Sequence, residues 1–141
     1  MVKNKTRVSQ QQVEAVFDGL QAVDPDFMLG RWASGYLNTG HHINDKMDTM
    51  KWAGKAFNSV DDVDPVLSYN ECGERVPDAK YGKATLKEVK LRGVVTAAMV
   101  YDSMPIIDGF KKVTDDIVLG MMDTKAPEYA PAYFFYLERL K

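Results

Sequence analysis

The second half of the chain carries five apolar segments, Ala84–Leu91, Val94–Tyr101, Pro105–Val113, Ile117–Asp123 and Ala132–Leu140. Between the first four stand only Arg92-Gly93, Asp102-Ser103-Met104 and Thr114-Asp115-Asp116, and Lys125-Ala126-Pro127 marks the last break. A parallel crossover needs about a dozen residues, so links this short force neighbouring strands to run antiparallel. With the segment that holds Trp32 and a short strand over Val66–Tyr69, the count comes to six or seven strands. That is enough to close, or nearly close, a small β-barrel and hide its edges.

The first half reads as helical. Ser9 and Gln12 form a capping box, and Val13, Val16, Phe17, Leu20 and Val23 follow at helical spacing until Asp24-Pro25 stops the run. A second helix is predicted from Asn44 or Asp45, with Met47, Met50, Gly54 and Phe57 on one face. Residues 59–65, with three aspartates and a proline, and residues 70–83, rich in Gly, Pro, Asp and Glu, read as loops. Between the helices, Gly30-Arg31-Trp32 lets the backbone turn while an indole plugs the core, as suits the closed end of a barrel. The first helix then caps one mouth or lies along the wall. Neither half buries its apolar face alone. The fold class is therefore α+β and mainly antiparallel β: a single domain over 1–141, with a helix, Trp and helix segment at 8–58 and the barrel strands at 59–141.

Composition narrows the function. The 141 residues are 45% hydrophobic, enough for one core, and the 27% that are charged mix both signs to a net charge of −2. No basic stripe exists to neutralise phosphates, so nucleic acid is not an expected partner. The single cysteine, Cys72, forms no internal disulfide and lacks zinc-site spacing. No apolar run approaches the ~18 residues of a membrane span, and Met1-Val2-Lys3-Asn4-Lys5 lacks the apolar block of a secretory signal. The cytoplasm is the expected location. The aromatic run Tyr133–Tyr136 suits either an inner strand covered by a helix or a subunit contact, which leaves a homodimer open.

The strand faces supply the candidate site. Period 2 puts Asp108 on one face with Ile106 and Phe110. Facing inward, it is a buried acid that needs a His, an Arg or the polar end of a ligand. With Ile107 and Val113 inward instead, it sits in solvent. Ala97, small, shares a face with Met99 and Tyr101, which signals either a cavity or ordinary interdigitation. His41 and His42 are adjacent, point to opposite faces if in a strand, and have no third histidine to complete a metal site. No metal or cofactor is expected. A nucleophile elbow, a phosphate loop and a dinucleotide fingerprint are all lacking. His41, near the start of the second helix, is the side chain best suited to meet Asp108 as an acid–base pair.

Gly30-Arg31-Trp32 through Thr39-Gly40-His41, then Trp52-Ala53-Gly54-Lys55-Ala56-Phe57, resembles the GXWXG family of uncharacterised proteins. Arg92–Asp102, Pro105–Asp108 with Phe110, and Phe134–Arg139 resemble the domain of unknown function that follows in such chains. One position departs: where the motif has its second glycine this chain has Ser34, with Gly35 one place later, so a side chain stands where the motif brings bare backbone close. A wider likeness to lipocalins implies a barrel that holds an apolar molecule, with a late arginine over the tryptophan face. Arg139 is the matching residue, and the cation–π contact with Trp32 that this likeness implies would be worth ~0.5–2 kcal/mol. A haem-binding barrel with a similar tryptophan motif ligates iron through a late histidine, and this chain has none after His42.

The expected function is therefore binding of a small hydrophobic or amphipathic ligand, such as a fatty acid or phospholipid. Trp32, Met99, Tyr101, Phe110 and Met121 would contact its body, and His41 and Asp108 its polar end. Gly30, Trp32 and Arg139 would be structural. The alternative is an isomerase or hydrolase acting on such a ligand through His41 and Asp108.

Overall fold

The computed structural model describes residues 2–141, with side chains described from Arg7 onward. In chain order the elements are β1 (Val2–Arg7), α1 (Gln10–Gly19), β2 (Gln21–Ala22), β3 (Gly30–Asn38), α2 (Ile43–Thr49), β4 (Trp52–Ser59) and β5 (Asp62–Tyr69). β6 (Arg75–Pro77), β7 (Ala84–Leu91), β8 (Val94–Tyr101), β9 (Ile107–Thr114), β10 (Ile117–Asp123) and β11 (Tyr133–Arg139) follow.

The sheet is mostly antiparallel. Its pairings run β3, β11, β10, β9, β8, β7, β5, β4, and β4 pairs again with β3 through Gly30↔Phe57 to Trp32↔Lys55, so the sequence of neighbours forms a ring. The thinnest seam lies between β5 and β7, where Val63↔Ala84 is the register pair; β7 and β8 by contrast pair along their whole length. β1 lies parallel to β3 outside the ring, β2 pairs with β9, and β6 with β5.

The short links of the second half make the predicted hairpins, and the strands from Ala84 to Arg139 lie within two residues of their expected bounds. The first half differs from expectation in several ways. α1 has the Ser9–Gln12 capping box but ends at Gly19, because Gln21 and Ala22 pair with Lys112 and Lys111 of β9. The helix predicted across 44–57 stops at Thr49: Lys51 takes a positive φ of 55°, and Trp52 onward is strand. Residues 62–69 are strand although they carry Asp62, Asp64 and Pro65. Lys83 grips both aspartates (2.6 and 2.7 Å), and Pro65 falls where the β4–β5 register slips, the place where a missing N–H is tolerated. β6 also lies within a predicted loop, and the described residues hold eleven strands rather than six or seven.

Two apolar layers result. Inside the ring pack Trp32, Phe57, Met99, Phe110, Val118, Phe135 and Leu137. Outside it, α1 lies along the wall: Phe17, fully buried, meets Phe134 edge-on at 5.6 Å, over Leu91, Leu119 and Met121. Burying a phenylalanine this completely contributes roughly 1.5–3 kcal/mol. Val16, expected on that apolar side, is instead 55% exposed. The Tyr133–Tyr136 run is thus a wall strand, with Tyr133 and Phe135 inward and Phe134 under the helix.

Trp32 is fully buried in the inner core. Its indole N–H donates to the Met28 carbonyl at 2.8 Å, and the Arg139 guanidinium lies 4.3 Å over its ring while donating to the Phe27 carbonyl. Gly54 permits the approach of β4 to β3. It has φ +141°, and a Cβ there would collide with the Trp32 carbonyl. The close contact thus comes from a different glycine than the motif position held by Ser34, which is buried with a side chain in place.

Candidate functional site

β4 does not alternate. Its register slips on either side of Gly54, so Trp52, Lys55 and Phe57 face the interior while Ala53 and Ala56 pack outside with Leu67. These bulges turn a lysine into the core. Asp108 comes to meet it from β9, paired in register with Met99 and Met122.

Lys55 Nζ stands 3.0 Å from Asp108 Oδ2, and both side chains are 2% exposed. The ammonium also donates to the Pro65 carbonyl at 2.8 Å and lies 5.3, 5.4 and 5.8 Å from the ring centres of Phe135, Trp52 and Tyr101. Two hydrogen bonds and an aromatic cage thus replace its water shell. Burial pushes the Lys55 amine down from its ordinary range and the Asp108 carboxyl up, and each charge draws its partner back. Two buried polar atoms here lack a partner, Asp108 Oδ1 and Trp52 Nε1.

Beside the pair lies a cavity of about 40 Å³. Trp52, Lys55, Asp108, Tyr101, Tyr133 and Phe135 line its buried side, while the partly exposed Met47, Met50, Met104, Met122 and Tyr129 form the rim. A water occupies roughly 30 Å³ in the liquid, so the space holds only a few atoms unless the rim moves. Methionine has three rotatable bonds, so a rim with four of them moves readily. Burial raises the Tyr101 and Tyr133 phenols well above their usual range, and Tyr133 donates to Asn44 Oδ1 at 2.8 Å.

Of the residues expected to form the site, Asp108 faces inward and Tyr101 lines the cavity. Trp32, Met99 and Phe110 are fully buried in the inner core but are not lining residues. Met121 points outward beneath α1, and its neighbour Met122 reaches the cavity in its place. The proposed His41–Asp108 pair is not formed. His41 Nε2 lies 2.6 Å from the Pro131 carbonyl and Nδ1 accepts from the Ile43 N–H, so both ring nitrogens are occupied. Nor do the two histidines point apart: they stack at 4.6 Å in the turn before α2, and His42 holds the Glu128 carbonyl. Their shared task is to fasten the segment that carries Tyr129 to the rim.

Lys55, Trp52, Tyr133, Phe135 and Met122 were missing from the expected set. One sequence signal was available: Lys55 is the only charge in Trp52–Phe57, as Asp108 is in Pro105–Phe110. Opposite charges, each alone in an apolar run, are candidates to be buried against each other.

The GXWXG protein family model matches residues 15–73, and the model of a domain of unknown function, DUF4334, matches residues 82–139. Each half of the Lys55–Asp108 pair thus comes from a different matched segment. A crystal structure of a protein from Thermomonospora curvata is similar throughout, with 40% identity, a TM-score of 0.90, and coverage of 96% of this chain and 90% of that one. No curated protein matches the chain. Among the described residues no helix is long and apolar enough to cross a membrane. With both segments matched in order and that level of identity over nearly its full length, the chain belongs to the GXWXG family, in the arrangement that continues into a DUF4334 domain.

Proposed function

We propose that the strand ring acts as a small lipocalin-like barrel that binds a small apolar or amphipathic molecule at the Lys55–Asp108 pair. The carrying observation is that Asp108 Oδ1 and Trp52 Nε1 are buried without partners beside a cavity whose other walls are mostly aromatic rings, methionines and aliphatic side chains. An unpaired buried acceptor costs ~1–3 kcal/mol, so a guest that supplies the missing partner gains that amount on entry. Binding pockets combine the same parts, apolar walls with a few convergent polar groups.

The free atoms favour a neutral polar end. A hydroxyl donates to Asp108 Oδ1, and a hydroxyl or carbonyl oxygen accepts from Trp52 Nε1. A carboxylate would set a second negative charge against Asp108, which disfavours an ionised fatty acid here. The ligand's apolar body extends between the rim methionines.

Calorimetric titration with hexanol and hexanoate tests this reading. Hexanol is expected to bind with one site per chain and more tightly than hexanoate, and Val66→Phe, which fills the cavity from β5, is expected to abolish binding. No heat from either compound, with native mass spectra free of adducts, would refute it.

A further inference from the structure

We infer that Lys55 binds carbonyl compounds covalently, condensing with a small apolar aldehyde to form an imine held against Asp108. The inference rests on the binding reading above and adds the chemical class of the ligand. Three observations carry it. Lys55 is a lining residue of the cavity and is fully buried, and its ammonium spends two of its hydrogens on Asp108 Oδ2 and the Pro65 carbonyl. Trp52 Nε1, unpartnered, is a donor suited to a carbonyl oxygen, and Asp108 Oδ1 remains free on the same carboxylate that holds the amine. The surrounding rings of Trp52, Tyr101 and Phe135 keep water away from a linkage that water hydrolyses.

The reaction balances without an oxidant or a metal. Lys55 passes a proton to Asp108 and its free electron pair attacks the carbonyl carbon, forming the C–N bond. The carbonyl oxygen takes the proton from Asp108. A second proton, from the nitrogen by way of Asp108, lets that oxygen leave as water. The product is an iminium on Lys55 facing the Asp108 carboxylate, so one positive and one negative charge stand before and after, and nothing is oxidised or reduced. Burial, which lowers the amine's proton affinity, favours the neutral nucleophile, and Asp108 serves as proton store and counter-ion.

The test treats the full chain with limiting hexanal and sodium cyanoborohydride near neutral pH, then locates the reduced adduct by intact mass and peptide mapping. One hexyl group is expected on Lys55, formed at least about ten times faster than on any exposed lysine, because burial leaves more of its amine neutral. Hexanol is expected to compete. Lys55→Arg, which keeps a cation for Asp108, is expected to fold and to lose the adduct. Adducts spread over exposed lysines while hexanol still binds would overturn the imine and leave the pocket standing. Failure of hexanol to bind, with Lys55 unmodified, would overturn both.

Discussion

Replacing Lys55 with methionine removes the cation and leaves a chain of similar length in the same space. Asp108 then loses the contact at 3.0 Å, and because Oδ1 already lacks a partner, neither of its oxygens retains one. Breaking a buried pair from one side costs about 3–5 kcal/mol, much more than losing an exposed ion pair. Removing both partners has a different outcome: Lys55→Met with Asp108→Leu eliminates the stranded charge and fills part of the 40 Å³ cavity. Such double replacements are commonly neutral or stabilising by about 1–4 kcal/mol. The single variant also gains a pH signature. Burial raises the Asp108 carboxyl above its unfolded value, an effect no longer opposed by Lys55, so its contribution to stability is full below the unfolded pKa and is lost as pH rises through the folded one. Urea unfolding at neutral and mildly acidic pH reads all three quantities. A single-variant loss under about 1 kcal/mol at neutral pH, or a double variant no more stable than the single, would refute the claim that the pair is buried and coupled.

Gly54→Ala is expected to cost about 3 kcal/mol or more, because strained φ adds to a collision with the Trp32 backbone; Gly30→Ala, at φ +118° with open space around it, should cost only the strain of ~1–3 kcal/mol. Equal effects in thermal melts would contradict that account of the β3–β4 contact. Arg139→Met removes a cation 4.3 Å over Trp32 together with its bonds to main-chain carbonyls, and a loss near 2 kcal/mol is expected, with Arg139→Lys only partly restoring it. His41, held below the ordinary histidine range mainly by burial, contributes stability that is present above its unfolded pKa and lost as pH falls through the folded value. The denaturation midpoint should therefore drop between about pH 7 and pH 5, and His41→Gln should flatten that slope. An unchanged slope would show that His41 does not couple to folding.

How far the sequence discloses this molecule depends on whether a strand has two different faces. β7 to β11 are bounded by turn residues, and Asp108 between Ile106 and Phe110 reads as an acid that is buried if that face is the inner one, as the structure has it. β4 defeats the same reasoning: Trp52–Phe57 is buried on both faces, and its bulges cancel the period of two. Met47, Met50, Gly54 and Phe57 therefore imitate a helical stripe, and Lys55 escapes notice. β10 is covered by the core on one side and by α1 on the other, so nothing in its residues reveals that Met122, and not Met121, faces the cavity. Lysine is seldom fully buried, so the sequence alone points Asp108 to a histidine, an arginine or the polar end of a ligand and not to Lys55. The capping box at Ser9 was legible because it is local, whereas the Lys55–Asp108 contact joins strands that are not neighbours in the ring.

The most direct measurement is a crystal structure of the protein soaked with hexanol. The account predicts the alcohol in the interior, its hydroxyl within hydrogen-bond distance of Asp108 Oδ1 and its chain running out past Met47 and Met122. An interior that holds only ordered water, with Lys55 and Asp108 apart or the alcohol bound elsewhere, would contradict it.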